Sequence, residues 1–140
     1  RPSARPVILH LARHGQSSWN LERRLQGQTP DIPLTVTGHA QARDMADRLA
    51  AHGVTAVWSS DLLRARQTAE RIADAHGLAV VTDERLRDVA LGSLEGRSYD
   101  ALVAEETPGD AHVSEVRWDG APDPAGLSPP PASRAGSPER

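Results

Sequence analysis

The stretch VILHLARHGQ occupies residues 7–16 and decides the predicted fold. Its first six residues, Val7 to Ala12, form a nearly continuous apolar run, which is typical of a parallel strand buried on both faces. Arg13, His14 and Gly15 follow that run without a spacer. Because ligands of open parallel sheets bind beyond the carboxyl ends of the strands, the sequence predicts a functional loop directly after a central strand.

Strands and helices alternate outward from this stretch. The predicted elements are a strand over 7–12, a helix over 35–51, a strand over 55–59, a helix over 61–76, a strand over 78–82 and a short helix over 98–106. Thr35 is a good N-cap for the first long helix, Ser60 or Asp61 for the second, and Gly77 ends the second. This order predicts an α/β fold with three α/β/α layers around a mainly parallel sheet.

Composition divides the chain into three segments. Residues 1–6 are a short leader, and residues 7–106 have the pattern of a folded core. Residues 107–140 contain seven of the eleven prolines. Such a segment buries too little apolar surface to offset the entropy of ordering it, so a disordered tail is predicted.

Several classes of function are disfavoured by composition. The chain of 140 residues lacks cysteine, which excludes disulfides, thiolate metal sites and a cysteine nucleophile. The net charge of −3 comes without a basic block, which disfavours nucleic acid, and no apolar run is long enough to span a bilayer. The histidines show no metal-ligand pairing on a predicted helix. We therefore expect a cytoplasmic protein that needs no metal or other cofactor.

Three side chains are expected to meet at one edge of the sheet. Arg13 and His14 directly follow the first predicted strand, and Arg64 lies in the first turn of the helix that follows the second strand. A guanidinium group matches the oxygens of phosphate, and Gly15 allows backbone to approach an anion closely. A neutral imidazole is nucleophilic near pH 7 if an acceptor holds its other nitrogen. The pattern predicts an anion site around a histidine nucleophile.

A phosphoryl transfer of this kind also needs an acid that protonates the leaving oxygen. The loop after the third predicted strand contains four candidates, which are Asp83, Glu84, Asp88 and Glu95. The residue pattern alone leaves the choice among them open.

Four blocks in order resemble the histidine phosphatase superfamily, the group that contains cofactor-dependent phosphoglycerate mutase. The blocks are LARHGQSSWN at 11–20, LQGQ at 25–28 with PLT at 33–35, SSDLLRARQTA at 59–69, and LRDVALGSLEG at 86–96. An isolated Arg-His-Gly triplet is a weak signal, so the specificity of the match comes from the order of the blocks.

The resemblance implies a catalytic role for four residues. His14 would become the phosphohistidine, and Arg13 and Arg64 would bind the transferred phosphoryl group. Asp88 falls where the family has its Glu or Asp proton donor, and Glu84 and Glu95 remain alternatives.

The resemblance also implies a substrate-binding group. Asn20 and the turn formed by Gln26 and Gly27 would line the region of the substrate phosphate, together with Gly15.

The sequence departs from the family downstream of these blocks. The family has a second histidine in a segment that reads apolar strand, His, Gly, whereas the only histidine after residue 76 is His112, which no glycine follows. The resemblance therefore implies a phosphoglycerate-mutase-like fold that is C-terminally truncated. An exposed sheet edge is then expected, and with it a homodimer.

The function that follows is hydrolysis of small phosphate monoesters through a phosphohistidine. A mutase-type phosphoryl transferase is the first alternative, although no basic cluster after Gly96 is available to hold a second acidic group. The missing second histidine favours another alternative, a catalytically impaired phosphate-binding module, and a gene fragment that does not fold is a further possibility.

Overall fold

Two short parallel strands and the helices around them form the fold of residues 5–106, the part of the chain that a computed structural model describes. The elements are α1 (Ser18–Leu21), α2 (Val36–Leu49), β1 (Val57–Ser59), α3 (Leu63–Ala75), β2 (Val80–Thr82) and α4 (Tyr99–Glu106), with 3-10 helices at Ala50–His52, Glu84–Leu86 and Gly92–Leu94. Residues 1–4 of the leader and the Pro-rich segment 107–140 lie outside the described residues. No helix in the described part is long and apolar enough to cross a membrane.

The strands β1 and β2 pair in parallel, which confirms the predicted α/β class. Val57 lies opposite Val80, and Ser59 lies opposite Thr82. Helix α3 connects the strands and packs on both, and α2 packs on α3. The core formed between them consists of Ala46, Val57, Ala69, Ile72 and Ala73.

Helix α2 begins as the sequence predicts. The Thr35 hydroxyl accepts the backbone N–H of Gly38 at 3.0 Å, so it satisfies one of the free donors of the first turn. Ala42 and Ala46 are buried against the core, and Met45 and Leu49 are half-buried beside them. The helix ends at Leu49, and a 3-10 turn continues to Gly53, whose φ of 61° only glycine adopts without strain.

Helix α3 has a different start from the predicted one. Its N-cap is Leu62, which provides no side-chain hydrogen bond, so the prediction of a cap at Ser60 or Asp61 is wrong. The Asp61 carboxylate instead accepts two hydrogen bonds from the Arg87 guanidinium, of 2.7 and 2.5 Å. Arg87, which is distant in sequence, therefore takes up the Asp61 carboxylate that was predicted to cap the helix.

The first predicted strand is the main difference between sequence and structure. The segment 7–12 forms no strand within residues 5–106, and Val7 and Leu11 are 90% and 88% exposed, so the prediction of a buried central strand is wrong for the described part. An apolar run becomes a strand only beside another strand that completes its hydrogen bonds. The strands β1 and β2 pair with each other, and neither pairs with this segment.

Candidate active site

His14 has the tautomer that a nucleophile requires. Its Nδ1 lies 2.7 Å from the backbone oxygen of Gly15. Since a carbonyl oxygen can only accept, the hydrogen of the neutral ring is on Nδ1, and Nε2 carries the lone pair. The side chain is half-buried and lies at the start of the loop that leads into α1.

The surroundings of His14 keep this ring neutral. Burial lowers the pKa of His14, and the hydrogen bond to Gly15 opposes that effect. The positive charges of Arg64 and Arg13 lower the pKa further, and the carboxylate of Asp88 raises it. The net pKa lies below the ordinary value of about 6.5, so the ring is mostly unprotonated at pH 7.

Arg64 is held rigidly inside the protein. Its side chain is 1% exposed and extends from the first turn of α3. The guanidinium donates from Nη2 to the backbone oxygen of Gly27 at 2.6 Å and from Nη1 to that of Thr29 at 3.2 Å. Burial lowers its pKa, but an arginine stays protonated at neutral pH. A fixed cation therefore lies within electrostatic reach of His14.

Gly15 ties the nucleophile loop to α3. Its N–H donates to the hydroxyl of Thr68 at 3.0 Å, and this hydroxyl donates in turn to the backbone oxygen of Arg64 at 2.8 Å. A Cβ at position 15 would lie 2.4 Å from the backbone oxygen of Gly38 in α2. Close packing against the backbone of α2 thus requires a glycine at position 15. The sequence predicts a second reason for this glycine, which is the close approach of an anion to the backbone.

Asp88 is the candidate acid nearest to the charged centre. Its carboxylate is 60% exposed, and Oδ2 lies 3.7 Å from Nη2 of Arg64. By contrast, Asp83 is engaged by Arg85, and Glu95 accepts three hydrogen bonds. This placement supports Asp88 over those two, and its assignment as the acid stays a prediction. Within residues 5–106, no three histidine or acidic side chains are placed to hold a metal ion.

A cavity of about 380 Å³ opens beside the nucleophile. Arg13, which is exposed, lies at this cavity with His14 and Asn20, and Ala42 and Met45 form an apolar part of the wall. Arg64 is not among the residues that line it, so its charge acts on His14 from outside the cavity.

Two of the predicted substrate-binding residues, Asn20 and Gln26, meet at Ser17, which is fully buried. The Oδ1 of Asn20 accepts the N–H of Ser17 at 2.9 Å, and the Ser17 hydroxyl lies 2.5 Å from Oε1 of Gln26. Gly27 presents its backbone oxygen to Arg64. Asn20 and Gly15 line the cavity, whereas Gln26 and Gly27 are not among its lining residues, and contact of these residues with substrate stays a prediction.

Comparison with known proteins decides the family. The model of the histidine phosphatase superfamily (branch 1) matches residues 9–131. The chain belongs to the histidine phosphatase superfamily. Curated relatives include the proteins named probable phosphoglycerate mutase GpmB of Enterobacter sp. (strain 638), 49% identical over 98 residues, and of Yersinia pestis (strain Pestoides F), 51% identical. The match covers 70% of this chain and 45% of each relative, so the chain spans less than half of their length.

Solved structures confirm the phosphoglycerate-mutase-like fold. A mycobacterial glucosyl-3-phosphoglycerate phosphatase complexed with VO3 matches with a TM-score of 0.63 and 36% identity, covering 66% of this chain and 44% of that one. YhfR of Bacillus stearothermophilus matches with a TM-score of 0.61 and 39% identity, covering 66% of this chain and 45% of that one.

Some residues of the site were missed by sequence reasoning. Ser17 had a local signal, since Ser17 and Asn20 are spaced as a capping box and form one at α1. Thr68 had a weaker signal, because it lies one helical turn after Arg64. The contacts of Glu95 with residues 28 and 29 had none, since they join loops 66 and 67 residues apart.

Proposed function

We propose that the chain is a phosphatase of small phosphate monoesters that forms a phosphohistidine on His14. The observation that carries the proposal is the hydrogen bond between Nδ1 of His14 and the backbone oxygen of Gly15. It leaves a lone pair on Nε2, and the nearby charges of Arg13 and Arg64 keep the ring neutral and favour an anionic substrate.

The chemistry runs in two steps. Nε2 of His14 attacks phosphorus in line, the bond from phosphorus to the ester oxygen breaks, and Asp88 gives its proton to the leaving alcohol. A water then attacks the phosphohistidine and passes its proton to Asp88, and inorganic phosphate leaves. In both steps the guanidinium group of Arg13 at the cavity stabilises charge on the phosphoryl oxygens, and the buried charge of Arg64 adds to this effect from outside the cavity.

Mutase-type phosphoryl transfer is a second candidate, which the names of the curated relatives favour. A phosphoglycerate carries a carboxylate besides its phosphate, and a mutase holds both acidic groups. Among the residues that line the cavity, Arg13 and His14 are the ones that can be positively charged. A single guanidinium group at the cavity supports hydrolysis of a monoester with a neutral alcohol.

A phosphate-binding module without turnover is a third candidate, since His14 is the single histidine among the described residues that line the cavity. Hydrolysis of p-nitrophenyl phosphate by the full chain separates these functions. We expect His14→Ala to reduce the rate to background and His52→Ala, an exposed histidine outside the site, to leave it unchanged. Equal rates for the wild type and His14→Ala would contradict the proposal, and conversion of 3-phosphoglycerate to 2-phosphoglycerate without phosphate release would favour the mutase.

A further inference from the structure

The half-buried carboxylate of Glu95 joins two loops of the site. Its Oε1 accepts the N–H of Gln28 at 2.7 Å and that of Leu91 at 3.2 Å, and its Oε2 accepts the hydroxyl of Thr29 at 3.1 Å. Burial raises the pKa of Glu95, but these hydrogen bonds and the charge of Arg64 outweigh that effect and lower it. The group is therefore an anion at neutral pH, and all three contacts use it as an acceptor.

The hydrogen bonds of Glu95 to residues 28 and 29 fix the segment that binds Arg64. The backbone oxygens of Gly27 and Thr29 accept the two hydrogen bonds of the buried guanidinium. The N–H of Gln28 and the hydroxyl of Thr29 are in turn held by Glu95. The direction of the guanidinium thus depends on a segment that Glu95 anchors.

The hydrogen bond of Glu95 to Leu91 fixes the loop that contains the candidate acid, Asp88. Glu95 holds the N–H of Leu91 within its own loop, and Nε2 of Gln28 donates to the backbone oxygen of Asp88 at 2.9 Å. The same short segment, Gly27 to Thr29, therefore accepts hydrogen bonds from the Arg64 guanidinium and donates one to the backbone oxygen of Asp88.

The backbone of Gly27 is shaped around this carboxylate. Its φ is 51°, in the left-handed region that favours glycine, and a Cβ there would lie 2.3 Å from Oε1 of Glu95. The carboxylate therefore lies directly against the backbone of Gly27, and a side chain at position 27 would displace it.

We propose that Glu95 is a positioning residue, which acts through Arg64 and Asp88 by holding their two loops in register. The inference rests on the proposed phosphatase function. Glu95 is not among the residues that line the cavity, and its effect on the reaction comes through those two side chains.

Two variants and a matched control test this role in the full chain. Glu95→Ala removes all three acceptor contacts, whereas Glu95→Gln keeps one oxygen that can accept from Gln28 and Leu91, with an amide that can donate to Thr29. Asp100→Ala is the control. It also removes a carboxylate that accepts three hydrogen bonds, in this case from Arg23, but it lies outside the site.

The readout compares two substrates with different leaving groups. An alkyl phosphate needs a well-placed acid, whereas p-nitrophenolate leaves without one. For Glu95→Ala we expect kcat on an alkyl phosphate to fall on the order of 100-fold, and kcat on p-nitrophenyl phosphate to fall much less. Glu95→Gln should recover most of the lost rate, and Asp100→Ala should leave the ratio of the two rates at the wild-type value. Equal losses on both substrates, or the same change in the ratio for Asp100→Ala, would overturn the inference.

Vanadate binding separates this inference from the proposed function. A wild-type chain that hydrolyses neither substrate would refute phosphatase activity, and the anion site would still be measurable with vanadate. Weaker vanadate binding by Glu95→Ala, rescued by Glu95→Gln, would then support positioning through Arg64. Unchanged binding would overturn it.

Discussion

The loop that holds His14 and the apolar segment before it are neighbours in sequence, yet they differ in how they are fixed. From Gly15 onward, backbone groups bind Thr68, Gln41 and Pro33, and Ser17 is fully buried. The segment 7–12 is exposed and pairs with no strand within residues 5–106. Side chains of α2 and α3, together with the carbonyl group of Pro33 before α2, therefore hold the loop of His14 without a strand formed by the segment that precedes it.

The difference follows from the number of partners that each structure needs. A loop becomes ordered when individual hydrogen bonds are satisfied one by one, as at Gly15 and Thr68. A central strand needs a complete neighbouring strand on each edge before its backbone groups are satisfied. The apolar composition of Val7 to Ala12 is necessary for such a strand but does not provide one.

The largest expected effect on activity comes from replacing Arg64, which belongs to α3, one of the helices that hold the loop of His14. Arg64→Met keeps the approximate length of the side chain but removes the fixed cation and leaves the oxygens of Gly27 and Thr29 without their donor. We expect phosphatase activity to fall on the order of 100- to 1000-fold and vanadate binding to be lost. Arg66→Met, on the exposed face of the same helix, is the control and should change neither measurement. Similar losses for the two variants would show that Arg64 has no special role.

The next largest effect is expected on stability, from a substitution at the contact between the loop of His14 and Gly38 in α2. Alanine normally stabilises a helix relative to glycine by about 1 kcal/mol. A Cβ at Gly38 would lie 2.0 Å from the backbone oxygen of Gln16, so Gly38→Ala should instead destabilise the protein by about 1–3 kcal/mol. Urea denaturation, monitored by circular dichroism, shows whether the free energy of unfolding falls or rises in this variant. A more stable variant would mean that the loop of His14 is free to move away from α2.

A smaller effect is expected on the titration of His14. The charge of Arg13 helps to lower the pKa of His14, so Arg13→Met should raise that pKa and move the acidic limb of kcat/KM to higher pH. Because the folded-state pKa is lowered, the stability that His14 contributes is present above its unfolded pKa of about 6.5 and is lost as the pH falls. NMR titration of the ring proton measures the pKa without turnover, with Arg43→Met on the exposed face of α2 as the control. An unchanged or lower pKa in Arg13→Met would contradict the electrostatic coupling.

The smallest effect is expected in the exposed segment. Leu9 is 76% exposed, so Leu9→Ser should change the free energy of unfolding by less than about 0.5 kcal/mol. Ile72→Ala, in the core formed by α2, α3 and β1, should cost about 2–5 kcal/mol in the same denaturation experiment. A loss at Leu9 as large as that at Ile72 would show that another part of the chain or a second copy covers the segment in solution.

Short-range signals predicted much of the fold and of the site. Thr35 marks the start of α2, Gly53 and Gly77 follow the ends of their helical segments, and the order of elements gave the parallel pair β1 and β2. The convergence of His14 and Arg64 was predicted from a rule about strand ends, and in the structure the charge of Arg64 contributes to the lowered pKa of His14.

What could not be predicted depends on contacts between distant parts of the chain. The Arg87 guanidinium binds Asp61 away from the start of α3, and Glu95 reaches Gln28 across 67 residues. Neither partner is marked by periodicity or composition. The pairing of the 7–12 segment is a question of the same kind, since apolar residues alone do not specify a neighbouring strand.

The backbone oxygen of Gly15 also has a consequence for the covalent intermediate. The imidazole has two nitrogens that could form a bond to phosphorus, and each would give a different phosphohistidine isomer. Because Nδ1 is occupied by its hydrogen bond to the backbone oxygen of Gly15, the proposed phosphorylation would be directed to Nε2. A single main-chain carbonyl would then set the regiochemistry of the proposed intermediate, and ³¹P NMR of the trapped species would distinguish the two isomers.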